Sequence, residues 1–114
     1  SLQRYDTGQR MSEMTVHNGV AYLAGQVADD AGADITGQTR QVLAAIDALL
    51  SRVGSDKSKI LRAQIFLADL ADFAAMNAVW EQWVAPGETP ARATVQAALV
   101  DPAWKIEVVV TAAL

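Results

Sequence analysis

Met14-Thr15-Val16-His17-Asn18-Gly19-Val20-Ala21-Tyr22-Leu23-Ala24 sets two short apolar runs on either side of Asn18-Gly19, the strongest two-residue turn signal. Residues 14–27 therefore read as an antiparallel hairpin. Downstream, Asp29-Asp30-Ala31-Gly32-Ala33-Asp34 reads as a solvated acidic loop, although paired carboxylates can also hold a metal. From Thr36 to Val53 the residues Val42, Ile46, Leu49 and Val53 recur at three- and four-residue steps, which predicts a helix with one apolar stripe. Gly54 stands where a left-handed C-terminal cap belongs. Lys59 to Leu67 reads as a strand, with Ile60, Ile65, Phe66 and Leu67 supplying its bulk.

A second helix opens at Asp69 or Asp72, where a carboxylate caps free amides and complements the helix dipole. Phe73, Met76, Trp80 and Trp83 share one of its faces, a core stripe before it is a ligand platform, and Pro86-Gly87 ends it. Two strands close the chain. Ala91 to Leu99 puts Arg92, Thr94 and Gln96 on one face. Trp104 to Ala112 puts Trp104, Ile106, Val108 and Val110 on one side, with Lys105, Glu107 and Val109 on the other. The order β-β-α-β-α-β-β predicts an α+β fold, a mixed sheet of five to six strands with both helices on one face. The other sheet face carries Val and Ala as well as polar residues, and covering it by oligomerisation is the economical solution.

Composition narrows the function. At 114 residues the chain supports one compact domain, residues 1–114, burying roughly two-thirds of the surface its unfolded form exposes. Its 52% hydrophobic content leans on alanine, which brings little burial energy per residue and hints at packing against further copies. With no cysteine there is no disulfide framework, zinc knuckle or thiol nucleophile, and a single histidine, His17, cannot form a two-histidine metal site. A net charge of −4 with scattered cations argues against a nucleic-acid partner, since phosphate binding needs clustered positive charge. The tightest basic group, Lys57, Lys59 and Arg62, sits among apolar and acidic residues. No apolar run approaches membrane-spanning length, and the opening residues show no secretory pattern, so a cytoplasmic protein is the expectation.

Phosphate-cradling glycine motifs and the nucleophile-elbow pattern are absent, and His17 beside its turn reads as an exposed strand residue. One pair stands out. Arg92 follows Pro90-Ala91 in a strand of small residues, and Glu107 is the sole acid in a strand of valine and isoleucine. If these strands are antiparallel neighbours, both side chains project to one face. They then form either a structural ion pair or a small-carboxylate site. In the latter, the arginine fork grips the carboxylate and the glutamate holds or activates a water.

Five ordered segments carry a family resemblance: Ala24-Gly25-Gln26-Val27, Gln38-Thr39-Arg40-Gln41-Val42-Leu43, Asp72-Phe73-Ala74-Ala75-Met76-Asn77, Pro90-Ala91-Arg92 and Ile106-Glu107-Val108. In order and spacing, from about Met11 to Ala112, the chain resembles the reactive intermediate deaminase (RidA/YjgF) family. The resemblance implies a chorismate-mutase-like α+β fold and a homotrimer whose sheets pack into a central barrel, with ligand clefts between subunits. It implies hydrolysis of reactive enamines and imines such as 2-aminoacrylate to a 2-oxo acid and ammonia. Arg92 would grip the substrate carboxylate and Glu107 would position the attacking water, with Gly25, Asn77 and Thr94 lining the cleft. No cofactor is implied. The chain departs from the family pattern at Met11, where a tyrosine is usual, at Ala24, where serine is usual, and at Thr94, where cysteine is frequent. The alternative is a non-catalytic trimeric protein that binds a small carboxylate metabolite at the same cleft.

Overall fold

The computed structural model describes residues 1–114 and contains one six-stranded mixed sheet in the order β1-β2-β3-β6-β4-β5. The strands are β1 (Gln3–Tyr5), β2 (Met14–His17), β3 (Val20–Leu23), β4 (Ile60–Leu67), β5 (Ala91–Gln96) and β6 (Ile106–Ala113). The expected hairpin is β2–β3, and its turn residues Asn18 and Gly19 both adopt positive φ, 50° and 77°. β1, not anticipated from its three polar and aromatic residues, adds antiparallel to β2 as an edge strand.

Helix α1 (Ile35–Arg52) starts one residue earlier than its apolar stripe predicts. The Asp34 side chain caps it by accepting from the Gly37 amide at 2.8 Å, so the last residue of the acidic loop is a helix cap. Gly54 follows with φ 75°, as a left-handed stop requires. Helix α2 (Phe73–Trp83) is preceded by a 3-10 turn, Leu70–Asp72, and the two aspartates divide the opening. Asp69 caps the turn through the Ala71 amide at 2.9 Å, whereas Asp72 makes no side-chain cap to the helix.

Every buried strand residue lies on one sheet face, and with α1 and α2 these residues form a single core cluster that includes Met14, Leu23, Ile46, Leu50, Ile65 and Val108. A bulge between Ile60 and Arg62 in β4 lets Ile60 and Ala63, three residues apart, both point into that core. Gln38 on α1 is fully buried and fully bonded. Its Nε2 donates to the carbonyls of Ala31, Ala33 and Ala103, each at 3.1 Å, and its Oε1 accepts from the Lys105 amide at 2.9 Å. One amide thus ties the acidic loop to the loop that leads into β6, at no cost in unsatisfied polar groups.

The last two strands differ from expectation. β5 ends at Gln96 and β6 begins at Ile106, leaving Trp104 in the connecting loop. They are not neighbours: β4 lies between them, parallel to β5 and antiparallel to β6. The β4–α2–β5 segment is a crossover unit, and a parallel pair of this kind requires one. β5 is consequently an edge of the sheet. No helix is long and apolar enough to cross a membrane.

Candidate functional site

The register across β4 settles how Arg92 and Glu107 are related. Arg92 pairs with Ala63, which also pairs with Val110, so Arg92 projects to the helix-covered face. Glu107 pairs with Phe66, three positions further along β4, and projects to the open face. Their backbones are separated by about 10 Å along the strands and about 10 Å across two strand spacings. Neither a shared face nor an ion pair exists within one chain, and the sole salt bridge is Arg52–Asp6 at 2.6 Å, elsewhere on the surface. Each residue instead anchors its own cluster.

Around Arg92 the cluster is built by β5 and α2. The guanidinium Nη1 donates to Asn77 Oδ1 at 2.8 Å, and its central carbon lies 5.3 Å from the Trp80 ring centroid and 6.0 Å from that of Phe73. Residues 73, 77 and 80 recur at four- and three-residue steps, so one stripe of α2 faces the arginine. The predicted aromatic stripe therefore divides: Met76 and Trp80 are in the core, while Phe73 is 42% exposed beside Arg92. Arg92 is half-buried and has no carboxylate partner. Thr94, two residues on and on the same face, has a buried Oγ1 with no hydrogen-bond partner. A buried hydroxyl without a partner is uncommon in native interiors and calls for an explanation.

Around Glu107 the cluster is built by β6 and the segment after β3. A Cβ placed on Gly25 would overlap the Glu107 carboxylate, so only glycine lets the acid lie across the backbone there. Gln26 fixes that segment. Its amide donates to the Val108 carbonyl at 2.8 Å and its carbonyl accepts from the Val108 amide at 3.1 Å. Its side-chain Nε2 donates to the Ala24 carbonyl at 3.0 Å and to Glu13 Oε2 at 3.2 Å. Glu107 itself is half-buried and accepts no hydrogen bond from the chain. Met11 is 51% exposed on the loop joining β1 to β2, which returns at Glu13, whose carbonyl accepts from the Ala24 amide at 2.9 Å. Of the departures from the family pattern, Ala24 is thus next to Gly25 on the Glu107 side, Thr94 is beside Arg92, and Met11 is on the exposed β1–β2 loop.

Of the sequence-derived candidates, then, the structure brings Arg92, Asn77 and Thr94 into one cluster and Gly25 and Glu107 into another. Phe73, Trp80 and Gln26 were not among the candidates. The first two were legible as partners of Asn77 from their spacing on α2. A cleft of about 230 Å3 between α1 and α2, lined by Leu43, Asp47, Val79 and Trp83 among others, contains no candidate residue.

Residues 2–114 match the family model described as endoribonuclease L-PSP. The chain belongs to this family, that of RidA and YjgF. A RutC family protein from Haemophilus ducreyi is 47% identical to this L-PSP chain over 113 residues, covering 99% of it and 97% of the relative. The RutC family protein YoaB from Escherichia coli K12 is 46% identical over 114 residues, covering 100% and 99%. Among solved structures, a YjgF-family protein from Neisseria meningitidis superposes with a TM-score of 0.96 at 44% identity, covering 99% of this chain and 94% of that one. The L-PSP fold, a six-stranded mixed sheet with two helices on one face, is therefore common to this chain and its relatives.

Proposed function

We propose that this L-PSP family protein is a cytoplasmic homotrimeric deaminase that hydrolyses reactive 2-imino and 2-enamino acids, such as 2-aminoacrylate, to 2-oxo acids and ammonia. The observation that carries the reading is the split between the two clusters. A half-buried guanidinium without a carboxylate partner lies on one sheet face and a half-buried carboxylate without a donor lies on the other. Each is half of a site, and a cleft between copies joins the Arg92 cluster of one to the Glu107 cluster of the next.

In that cleft Arg92, held by Asn77, presents its remaining N–H groups to the substrate carboxylate as a fork. Thr94 Oγ1 gains the hydrogen-bond partner it lacks in the chain alone. Glu107 takes a proton from water as the oxygen attacks the imine carbon and passes it to nitrogen, giving a carbinolamine. It then takes the hydroxyl proton and passes that to nitrogen as the carbonyl forms, the C–N bond breaks and ammonia leaves. An enamine first moves a proton from nitrogen to its terminal carbon to become the imine. Imines are already electrophilic, so orientation and one base account for the chemistry without a cofactor.

The test is ammonia or 2-oxo acid release from imino acids generated in place by an amino-acid oxidase. Arg92→Ala is expected to abolish the acceleration, and unchanged activity in that variant overturns the role given to Arg92. A second reading, a trimeric binding protein for a small carboxylate, draws support from Met11 and Ala24, where the chain departs from the family pattern. It predicts binding of 2-oxo acids that depends on Arg92, with no acceleration of ammonia release.

A further inference from the structure

We propose that the α2 stripe of Phe73, Asn77 and Trp80 is a seat that fixes the plane of the Arg92 guanidinium, making Trp80 and Phe73 positioning residues for the ligand carboxylate. The inference rests on Arg92 being the carboxylate contact. A guanidinium interacts in two perpendicular ways: its flat faces attract aromatic rings, and its N–H edges bond to oxygens. Two rings lie within reach of Arg92, at 5.3 and 6.0 Å, while Asn77 Oδ1 takes one N–H at 2.8 Å. That is the one hydrogen bond the guanidinium makes within the chain, so its other N–H edges are free, and the edges are what a carboxylate engages two at a time.

Trp80 is the stronger half of the seat. It is only 5% exposed, so water competes little for its ring, and tryptophan has the most attractive ring face for a cation. It is itself braced. Trp83 lies against it with ring centroids 5.3 Å apart at a 52° tilt, and Trp83 Nε1 is anchored to Asp47 Oδ2 at 2.9 Å. The long arginine side chain is thus ordered before a ligand arrives, which removes an entropic cost from binding.

The test replaces Trp80 site-specifically with tryptophans of increasing ring fluorination, which weakens the ring's attraction for a cation at nearly constant shape. Binding of pyruvate to the assembled protein is followed by calorimetry, and kcat and KM by the oxidase-coupled assay. Pyruvate affinity is expected to fall stepwise, by about 5- to 10-fold at full fluorination. KM should rise in parallel with kcat nearly unchanged, because the carboxylate is gripped alike in ground and transition states. Phe73→Leu, at an exposed position, should give a smaller loss of about 2-fold. Arg92-dependent binding that is flat across the fluorinated series overturns the seat alone. If the parent protein binds no pyruvate in an Arg92-dependent manner, the seat and the reading of the cleft fall together.

Discussion

The Glu107 carboxylate lies across the backbone of Gly25 so closely that a single methyl group on Gly25 would overlap it. The crowding involves the mobile end of the glutamate, so Gly25→Ala is absorbed by displacement of the acid rather than by the fold. A shift of about 1 Å in a reacting group costs on the order of 100-fold in rate. Gly25→Ala should therefore lower kcat by about that factor while the melting temperature stays within a few degrees. Steady-state kinetics alongside a thermal melt decides it, and an unaltered kcat counts against a catalytic Glu107.

The two-faced arrangement of Arg92 and Glu107 makes a sharper demand on assembly. Arg92→Ala and Glu107→Gln should each be inactive alone, since each spoils every cleft. If the proposed trimer holds, unfolding them together and refolding them as mixed oligomers should restore clefts that take Arg92 from one copy and Glu107 from another. Random assembly makes about one cleft in four intact, so activity should recover to about a quarter of the parent value. An absence of recovery from refolded mixed oligomers would overturn the shared cleft.

Thr94 separates binding from stability. Removing a buried hydroxyl that has no partner frees the fold of a desolvated polar group, so Thr94→Val should melt at the same temperature or higher. A hydrogen bond to ligand is worth about 0.5–1.5 kcal/mol net, so pyruvate affinity should fall between about 2- and 12-fold. Calorimetry and melting on the same sample read both, and an unchanged affinity removes Thr94 from the cleft.

Acid stability should report the Asp6–Arg52 pair. The Asp6 carboxyl is held below its ordinary value of 3.8, chiefly by its hydrogen bond from Arg52; desolvation opposes this, and the guanidinium charge adds a lesser lowering effect. A depressed carboxylate stabilises the fold fully above 3.8, and the contribution is lost as pH falls through the lower folded-state value. Asp6→Asn keeps a residue that tolerates the observed φ of 54°. The gap in melting temperature between parent and Asp6→Asn should therefore be present at pH 5–7 and close as pH falls below 3.8. Added salt should shrink it, because the pair is exposed.

Much of this fold is legible in local sequence. The apolar stripe from Val42 to Leu50, the Gly54 stop and the Asn18-Gly19 turn each act within a few residues, and each element formed where those signals put it. What alternation cannot carry is strand order. Ala91–Gln96 and Ile106–Ala113 read as a natural hairpin pair, yet their partner on both sides is β4, about thirty to forty-five residues upstream. That non-local pairing moved Glu107 to the opposite face from Arg92. The two residues were recognisable by being charged in otherwise apolar strands, whereas their relationship lived in the register. Phe73 and Trp80 were masked for another reason: an aromatic stripe on a helix has the same pattern whether it meets leucine or a guanidinium.

Gln38 has a consequence for how this protein tolerates change in length. Surface loops generally accept insertions at little thermodynamic cost. Here the acidic loop is bonded through Gln38 to Ala103 and to the Lys105 amide, two residues before Glu107. A residue added between Asp29 and Asp34 would pull on the strand that carries the acid. Indels in that loop should therefore alter turnover, although the loop itself touches neither Arg92 nor Glu107.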